Sequence, residues 1–122
     1  MEHFEHERLD VYKTAIAFLA MVDEFLEHLP KGRGHLADQL ERAATSVVFN
    51  IAEAAGEFAS HEKARIYRIA RRSATECAAI LDVCRVRRLV GEPRLDVGRD
   101  LLVRIVAMLT KMILNCTDKP RA

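Results

Sequence analysis

Apolar residues recur every three or four positions along four segments of this chain. In the first segment, residues 7–29, they are Leu9, Tyr12, Ile16, Leu19, Val22, Leu26 and Leu29. Because an α-helix has about 3.6 residues per turn, this spacing places the side chains on one helical face. Pro30, Gly32 and Gly34 then interrupt the pattern, so the first helix is predicted to end near residue 29.

The same period predicts three further helices, over residues 34–55, 61–90 and 95–116. The apolar stripe of the second helix consists of Leu36, Leu40, Ala43, Val47, Ile51 and Ala54. Gly56 follows it and favours the left-handed conformation that closes many helices, and Ser60 offers a hydroxyl to cap the third helix. Gly91 and Pro93 are predicted to separate the last two helices.

Four helices joined by short connections pack most simply as an antiparallel up-and-down four-helix bundle. The chain has 122 residues, which suits one domain, residues 1–122. It contains only 5 Gly and 3 Pro, fewer turn-forming residues than a β-sandwich of this length needs. The sequence therefore predicts an all-α fold.

The first and fourth helices carry more apolar residues than one narrow stripe requires. The additional residues are Ala15, Phe18, Met21 and Phe25 on the first helix, and Val103, Val106 and Met108 on the fourth. Two interpretations stay open. Either the core face of these helices is broad, or the surplus is buried when copies of the chain associate.

The expected location is the cytoplasm, with no membrane association. No apolar run approaches the roughly 20 residues that cross a bilayer, and the run from Ala15 to Val22 is the longest of note. Glu2, Glu5 and Glu7 make the N-terminus too acidic for a signal peptide. The 3 cysteines form no CxxC pair, so they are expected to be small reduced core residues.

No pattern of catalytic or metal-binding residues occurs in the sequence. A di-iron bundle needs a glutamate three residues before each histidine ligand, and none of the 5 histidines has an acid at that position. There is also no glycine-rich phosphate loop and no nucleophile with a neighbouring base. We therefore expect no enzyme activity, no cofactor and no metal.

Charge is nearly balanced overall but is unevenly distributed. There are 19 Lys+Arg and 18 Asp+Glu, for a net charge of +1. Residues 1–30 contain seven acids and two bases, whereas residues 61–90 contain eight bases and three acids. The two segments are complementary, so they can pair within one subunit or between neighbouring subunits.

The third helix carries the candidate nucleic-acid-binding residues. Arg65, Arg68 and Arg72 follow one another at three- and four-residue steps, with Arg71 close by. A helix with this spacing can present guanidinium groups to successive phosphates. The alternative is a solvated face, or one that pairs with the acidic first helix.

A polar stripe runs beside the apolar face of the second helix. It consists of Arg42, Ser46, Asn50 and Glu53, at steps of four, four and three residues. Such a stripe most often fixes helix register or a subunit contact, so a structural or interface role is predicted. The alternative is a ligand site that contains Arg42 and Glu53.

The second helix also carries a family resemblance. The run RAATSVVFNIAE, residues 42–53, resembles the signature of the four-helix bundle proteins first noticed in intervening sequences of 23S ribosomal RNA genes. That family includes the accessory variability determinants of diversity-generating retroelements. Supporting matches are the run LDVYK at residues 9–13, and Gln39, Tyr67, Ala70, Ser73 and Glu76.

The resemblance implies an antiparallel bundle without known enzymatic activity that assembles into a ring-like homo-oligomer, commonly a pentamer. In the retroelement branch it also implies a basic scaffold that binds nucleic acid and a reverse transcriptase. The chain departs from the family pattern at Ala54 and Ala55, which precede a late Gly56. Its net charge of +1 also differs from the strongly basic retroelement members.

Overall fold

The structure is a computed structural model that describes residues 2–117. Its elements are a 3₁₀ turn, Glu5–Arg8, and four α-helices: α1 Asp10–Glu27, α2 Gly34–Ala55, α3 Ser60–Val86 and α4 Glu92–Thr117. No strand occurs in the described range, so the all-α prediction is confirmed there. None of these helices combines the length and apolar content that crossing a bilayer requires.

The four helices surround one core in cyclic order. Each helix contacts the helices before and after it in the chain, and α4 contacts α1. The α1–α3 and α2–α4 pairs make no backbone contact, so each pair occupies opposite corners of the bundle. One continuous apolar cluster draws side chains from all four helices.

The buried face of α1 differs from the predicted stripe and lies further round the helix axis. Ala15, Phe18 and Phe25, which the periodicity treated as surplus, are almost completely buried. Ile16, predicted to face the core, is 40% exposed, and Leu19 lies at the core's edge. Apolar residues cover more than half of this helix, and the packing of α2 and α4 on either side decides which of them are buried. For α1 the broad core face is therefore the correct interpretation.

On α4 part of the apolar surplus stays at the surface. Leu102, Ile105 and Leu109 are buried, and Val106 is partly buried against the core. Val103 is 52% exposed. The fourth helix thus keeps apolar surface that the bundle itself does not cover.

Two predicted details at the α2–α3 connection are wrong. Gly56 has φ −85°, which is right-handed helical geometry, so no left-handed turn closes α2. Ser60 is the first residue of α3, and the extended residue before it is Ala59. No side-chain hydrogen bond caps α3; the Glu57 carboxylate accepts from the backbone N–H of Ala59 at 3.1 Å, just before the helix begins.

Helix α3 ends four residues earlier than predicted, so the α3–α4 connection begins sooner. Helix α3 ends at Val86 because Arg88 adopts φ 54°, in the left-handed region. The N–H of Leu89 then donates to the carbonyl of Cys84 at 2.9 Å, as in a Schellman closure. Helix α4 already begins at Glu92, with Pro93 in its first turn, where a missing N–H costs nothing.

The left-handed position of Arg88 gives a stability prediction. A side chain costs about 1 kcal/mol in this conformation relative to glycine, so Arg88→Gly is expected to raise the free energy of unfolding by about 0.5–1 kcal/mol. Urea denaturation followed by circular dichroism measures it, at a protein concentration low enough to keep the chain monomeric. Arg87→Gly is the matched control: Arg87 has φ −85°, so glycine there should not stabilise. Equal effects at both positions would refute the conformational explanation.

Candidate functional site

A hydrogen-bonded seam joins α2 to α3. The hydroxyl oxygens of Ser46 and Ser73 lie 2.8 Å apart and are partly buried. The Asn50 side-chain amide donates to the Ser46 hydroxyl at 3.0 Å and to the Ser46 carbonyl at 2.8 Å. The three side chains therefore satisfy one another and fix the register of the two helices.

A polar groove of about 300 Å³ lies beside this seam. Its lining comes from both helices: Gln39, Arg42, Ala43, Ser46, Ser73 and Glu76. The groove contains a guanidinium, a carboxylate, an amide and two hydroxyls. These groups suit a polar partner that carries hydrogen-bond donors, acceptors and charges of both signs.

The groove gathers only part of the predicted polar stripe. Arg42 and Ser46 line it, and Asn50 supports it through Ser46. Glu53 is exposed and is not among its lining residues. Gln39, Ser73 and Glu76 belong to the groove but were absent from the predicted stripe. Residues 39, 42 and 46 share one face of α2, and residues 73 and 76 share one face of α3, as their spacing predicts. Nothing in the sequence indicates that these two faces lie opposite each other.

The chemistry of the groove does not resemble a nucleophilic catalytic site. The Ser46 and Ser73 hydroxyls bond to each other, and Ser46 also accepts from the Asn50 amide; no histidine or carboxylate of the described residues accepts from either hydroxyl. Across residues 2–117, no three His, Cys, Asp or Glu side chains lie close enough to share a metal ion.

The four candidate arginines of α3, Arg65, Arg68, Arg71 and Arg72, are all exposed, but they differ in their partners. Arg65 donates from Nε to Glu62 at 2.9 Å, and this bond holds the pKa of Glu62 below its ordinary value. Arg71 leans towards α4, where its Nε donates to the Thr110 hydroxyl at 2.9 Å. Arg68 and Arg72 make no hydrogen bond or ion pair with any described residue. Only these last two keep their full capacity to bind an external anion.

A second groove, also of about 300 Å³, runs between α3 and α4 and is mainly apolar. Ala78, Leu102, Val103 and Val106 are among its lining residues, and Asp82, Arg85 and Arg99 carry its charges. The surplus at Val103 and Val106 was recognised in the sequence. The α3 side of this groove was not recognised in the sequence, because the Ala78 side chain is too small to stand out in a periodic pattern.

The buried cysteines are poorly suited to thiol chemistry. Burial raises the pKa of Cys77 to about 12, and it also raises the pKa of Cys84. Tyr67, buried in the same core, has its pKa raised to about 12, chiefly by burial. A thiolate is the reactive form of cysteine, so Cys77 and Cys84 act as core residues.

Comparison with known families matches residues 7–111 to the family described as 23S rRNA-intervening sequence protein. The chain belongs to this family. The matched segment contains α1, α2 and α3 completely and most of α4, so the polar groove and the α3 arginines both lie within it. No curated protein is significantly similar to this family member.

The seam of this family member gives a second stability prediction. Ser46→Ala and Ser73→Ala each remove one partner of a part-buried hydrogen bond, so each is expected to destabilise by about 1 kcal/mol. The double variant should cost less than the sum, with a coupling energy of about 0.5–1 kcal/mol. Thr45→Ala is the control, because Thr45 bonds only to carbonyls of its own helix. Additive effects of the two serine substitutions would contradict direct coupling.

Proposed function

We propose that this protein is a non-enzymatic, self-assembling structural or interaction protein, an antiparallel up-and-down bundle whose copies form a ring-like homo-oligomer in the cytoplasm. The observation that carries the proposal is the exposed apolar surface. Val97 and Val103 on α4 are 53% and 52% exposed, and Phe49 on α2 is 63% exposed. Exposed apolar area of this kind is stabilised when a second copy covers it.

Support for a non-enzymatic role comes from the two grooves. The serines of the polar groove lack a base, and the other groove is lined mostly by aliphatic side chains. Both features suit contacts with another macromolecule better than they suit bond-breaking chemistry. A survey for hydrolase or transferase activity is expected to find no turnover. Turnover that Glu53→Ala or Arg42→Ala abolishes would replace this proposal with an enzyme.

Support for a ring is the arrangement of the charged helices together with the resemblance described above, which implies a pentamer. The acidic α1 and basic α3 occupy opposite corners, so a contact that joins them is heterologous and repeats around an axis. Sedimentation velocity and light scattering at several protein concentrations test the assembly. A closed oligomer, most simply five times the 13.8 kDa chain, is expected. Only monomer at every concentration would refute self-assembly.

The second candidate function is a nucleic-acid-binding ring, in its furthest form an accessory to a reverse transcriptase. The supporting observations are Arg68 and Arg72 in the first half of α3, which have no partner among residues 2–117, and two exposed aromatic residues on the preceding segment of the chain. Phe58, in the α2–α3 connection, is fully exposed, and Phe49 lies on the last turns of α2. Arginines that bind phosphates beside rings that stack on bases suit single-stranded nucleic acid.

Binding of a fluorescent single-stranded oligonucleotide at increasing salt tests this second function. We expect affinity that falls steeply with salt and is lost in Arg68→Gln with Arg72→Gln. Arg104→Gln with Lys111→Gln, which removes the same charge from α4, is the control. No binding at low ionic strength would exclude this function. A reverse transcriptase gene with a variable repeat beside the gene for this protein would be expected for the retroelement role.

A further inference from the structure

The complementary charges predicted from the sequence are separated within one molecule. Helices α1 and α3 occupy opposite corners of the bundle and make no backbone contact. Among residues 2–117 the ion pairs that join helices run from Arg94 to Glu24 at 2.7 Å, from Arg85 to Asp96 at 2.9 Å and from Arg85 to Glu92, and none links α1 with α3. Among the described residues, the acidic and basic helices therefore have no means of neutralising each other inside one subunit.

The Arg94–Glu24 and Arg85–Asp96 pairs also place the charges at one height along the bundle. Both end on α4, at Arg94 and Asp96, which are two residues or about 3 Å apart along the helix axis. Their partners, Glu24 on α1 and Arg85 on α3, therefore lie at nearly the same height on opposite corners. A rotation about an axis parallel to the bundle brings residues of equal height together in neighbouring copies.

The exposed residues Ile16, Ala20, Asp23 and Glu27 form a ridge on the outer face of α1, and this ridge is acidic at the height of Glu24. Ile16 and Ala20 form its apolar part, and Asp23 and Glu27 follow towards the end of the helix. Neither acid makes a hydrogen bond or ion pair with any described residue. Lys13 is the base on this ridge, about three to four turns from the acids.

The groove between α3 and α4 offers the matching surface. Its wall contains Ala78 and the half-exposed Val103, small enough for a helix to approach closely. Arg99 lines the groove, Arg88 lines the adjoining α3–α4 connection, and neither side chain has a partner among the described residues. Asp82 is the acid on this rim.

From this geometry we propose that the α1 ridge of one copy docks in the α3–α4 groove of the next copy. Ile16 and Ala20 cover Ala78 and Val103, while Asp23 and Glu27 pair with Arg99 and Arg88. The contact joins different surfaces of two identical chains, so every copy still presents one free ridge and one free groove until a ring closes. This inference rests on the proposed self-assembly and names the surfaces that carry it.

Charge reversal of exposed residues tests the docking. Asp23→Lys with Glu27→Lys, and separately Arg88→Glu with Arg99→Glu, are each expected to weaken self-association about tenfold or more at low salt. Combining all four substitutions in one chain restores opposite charges across the contact, so assembly should return. Asp38→Lys with Glu41→Lys changes net charge as the first pair does but lies on α2, so it should assemble as the unchanged protein does.

The outcomes separate this inference from the proposed function. If the unchanged protein is a monomer throughout, self-assembly itself is wrong. If it assembles but both charge-reversed pairs retain its mass, or the fourfold variant fails to recover while circular dichroism shows it folded, the α1-to-groove contact is wrong and self-assembly uses another surface.

Discussion

Phe18→Ala is expected to lower the free energy of unfolding by about 3–5 kcal/mol. The Phe18 side chain is 0% exposed and lies in the core cluster between α1 and its neighbours. Its removal loses the burial of a large apolar group and leaves a cavity that the surrounding helices fill only in part. Since a domain is typically stable by about 5–15 kcal/mol, this one substitution would remove much of the stability.

Ile16→Ala is the matched control for this prediction, because it lies two residues away on the same helix and was expected from the sequence to be core. With 40% exposure in the structure, its truncation should cost about 1 kcal/mol or less. Both variants are measured by urea denaturation at a protein concentration low enough to keep the chain monomeric, because Ile16 also lies on the proposed docking ridge and self-association adds to apparent stability. A larger cost at Ile16 than at Phe18 would contradict the orientation of α1.

Gly98→Val is expected to destabilise the protein by about 1–3 kcal/mol, although valine is the better helix former. Gly98 lies where α4 approaches α1 and α3 closely. A Cβ atom at this position would lie 2.7 Å from Cε of Met21 and 3.0 Å from Cδ1 of Leu81. The flexible Met21 side chain can move for one methyl group, so Gly98→Ala should be nearly neutral, but the branched valine would displace both neighbours.

Two further variants test the cause of this effect. Met21→Ala makes room, so combining it with Gly98→Val should cost less than the sum of the two single changes. Gly34→Val is the control for the loss of glycine itself, because nothing lies within 4 Å of a Cβ at that position. Strictly additive costs, or an equal cost at Gly34, would show that steric contact with Met21 and Leu81 is not responsible.

The sequence predicted Arg42 and Ser46 as residues of a polar site, but not the groove that they form with α3. The α2 motif and the α3 residues Ser73 and Glu76 were recognised separately, as matches to the family pattern. The structure brings Arg42, Ser46, Ser73 and Glu76 together in one groove. Spacing along a helix determines which residues share its face, but not which face of another helix lies opposite. For the same reason, the arginine cluster of α3 could not be divided beforehand into paired Arg65 and unpaired Arg68 and Arg72.

The sequence by itself determined the all-α class, the bounds of α2 and the six residues of its predicted stripe, all of which are buried. Those six residues recur at helical spacing, and the chain has clear breaks at both ends of that helix. The sequence also determined family membership. The tertiary structure alone decided which side of α1 is buried, because apolar residues nearly encircle that helix and only its neighbours distinguish Phe18 from Ile16. It likewise decided that the acidic and basic helices lie at opposite corners, since charge along a chain does not specify which helices become neighbours.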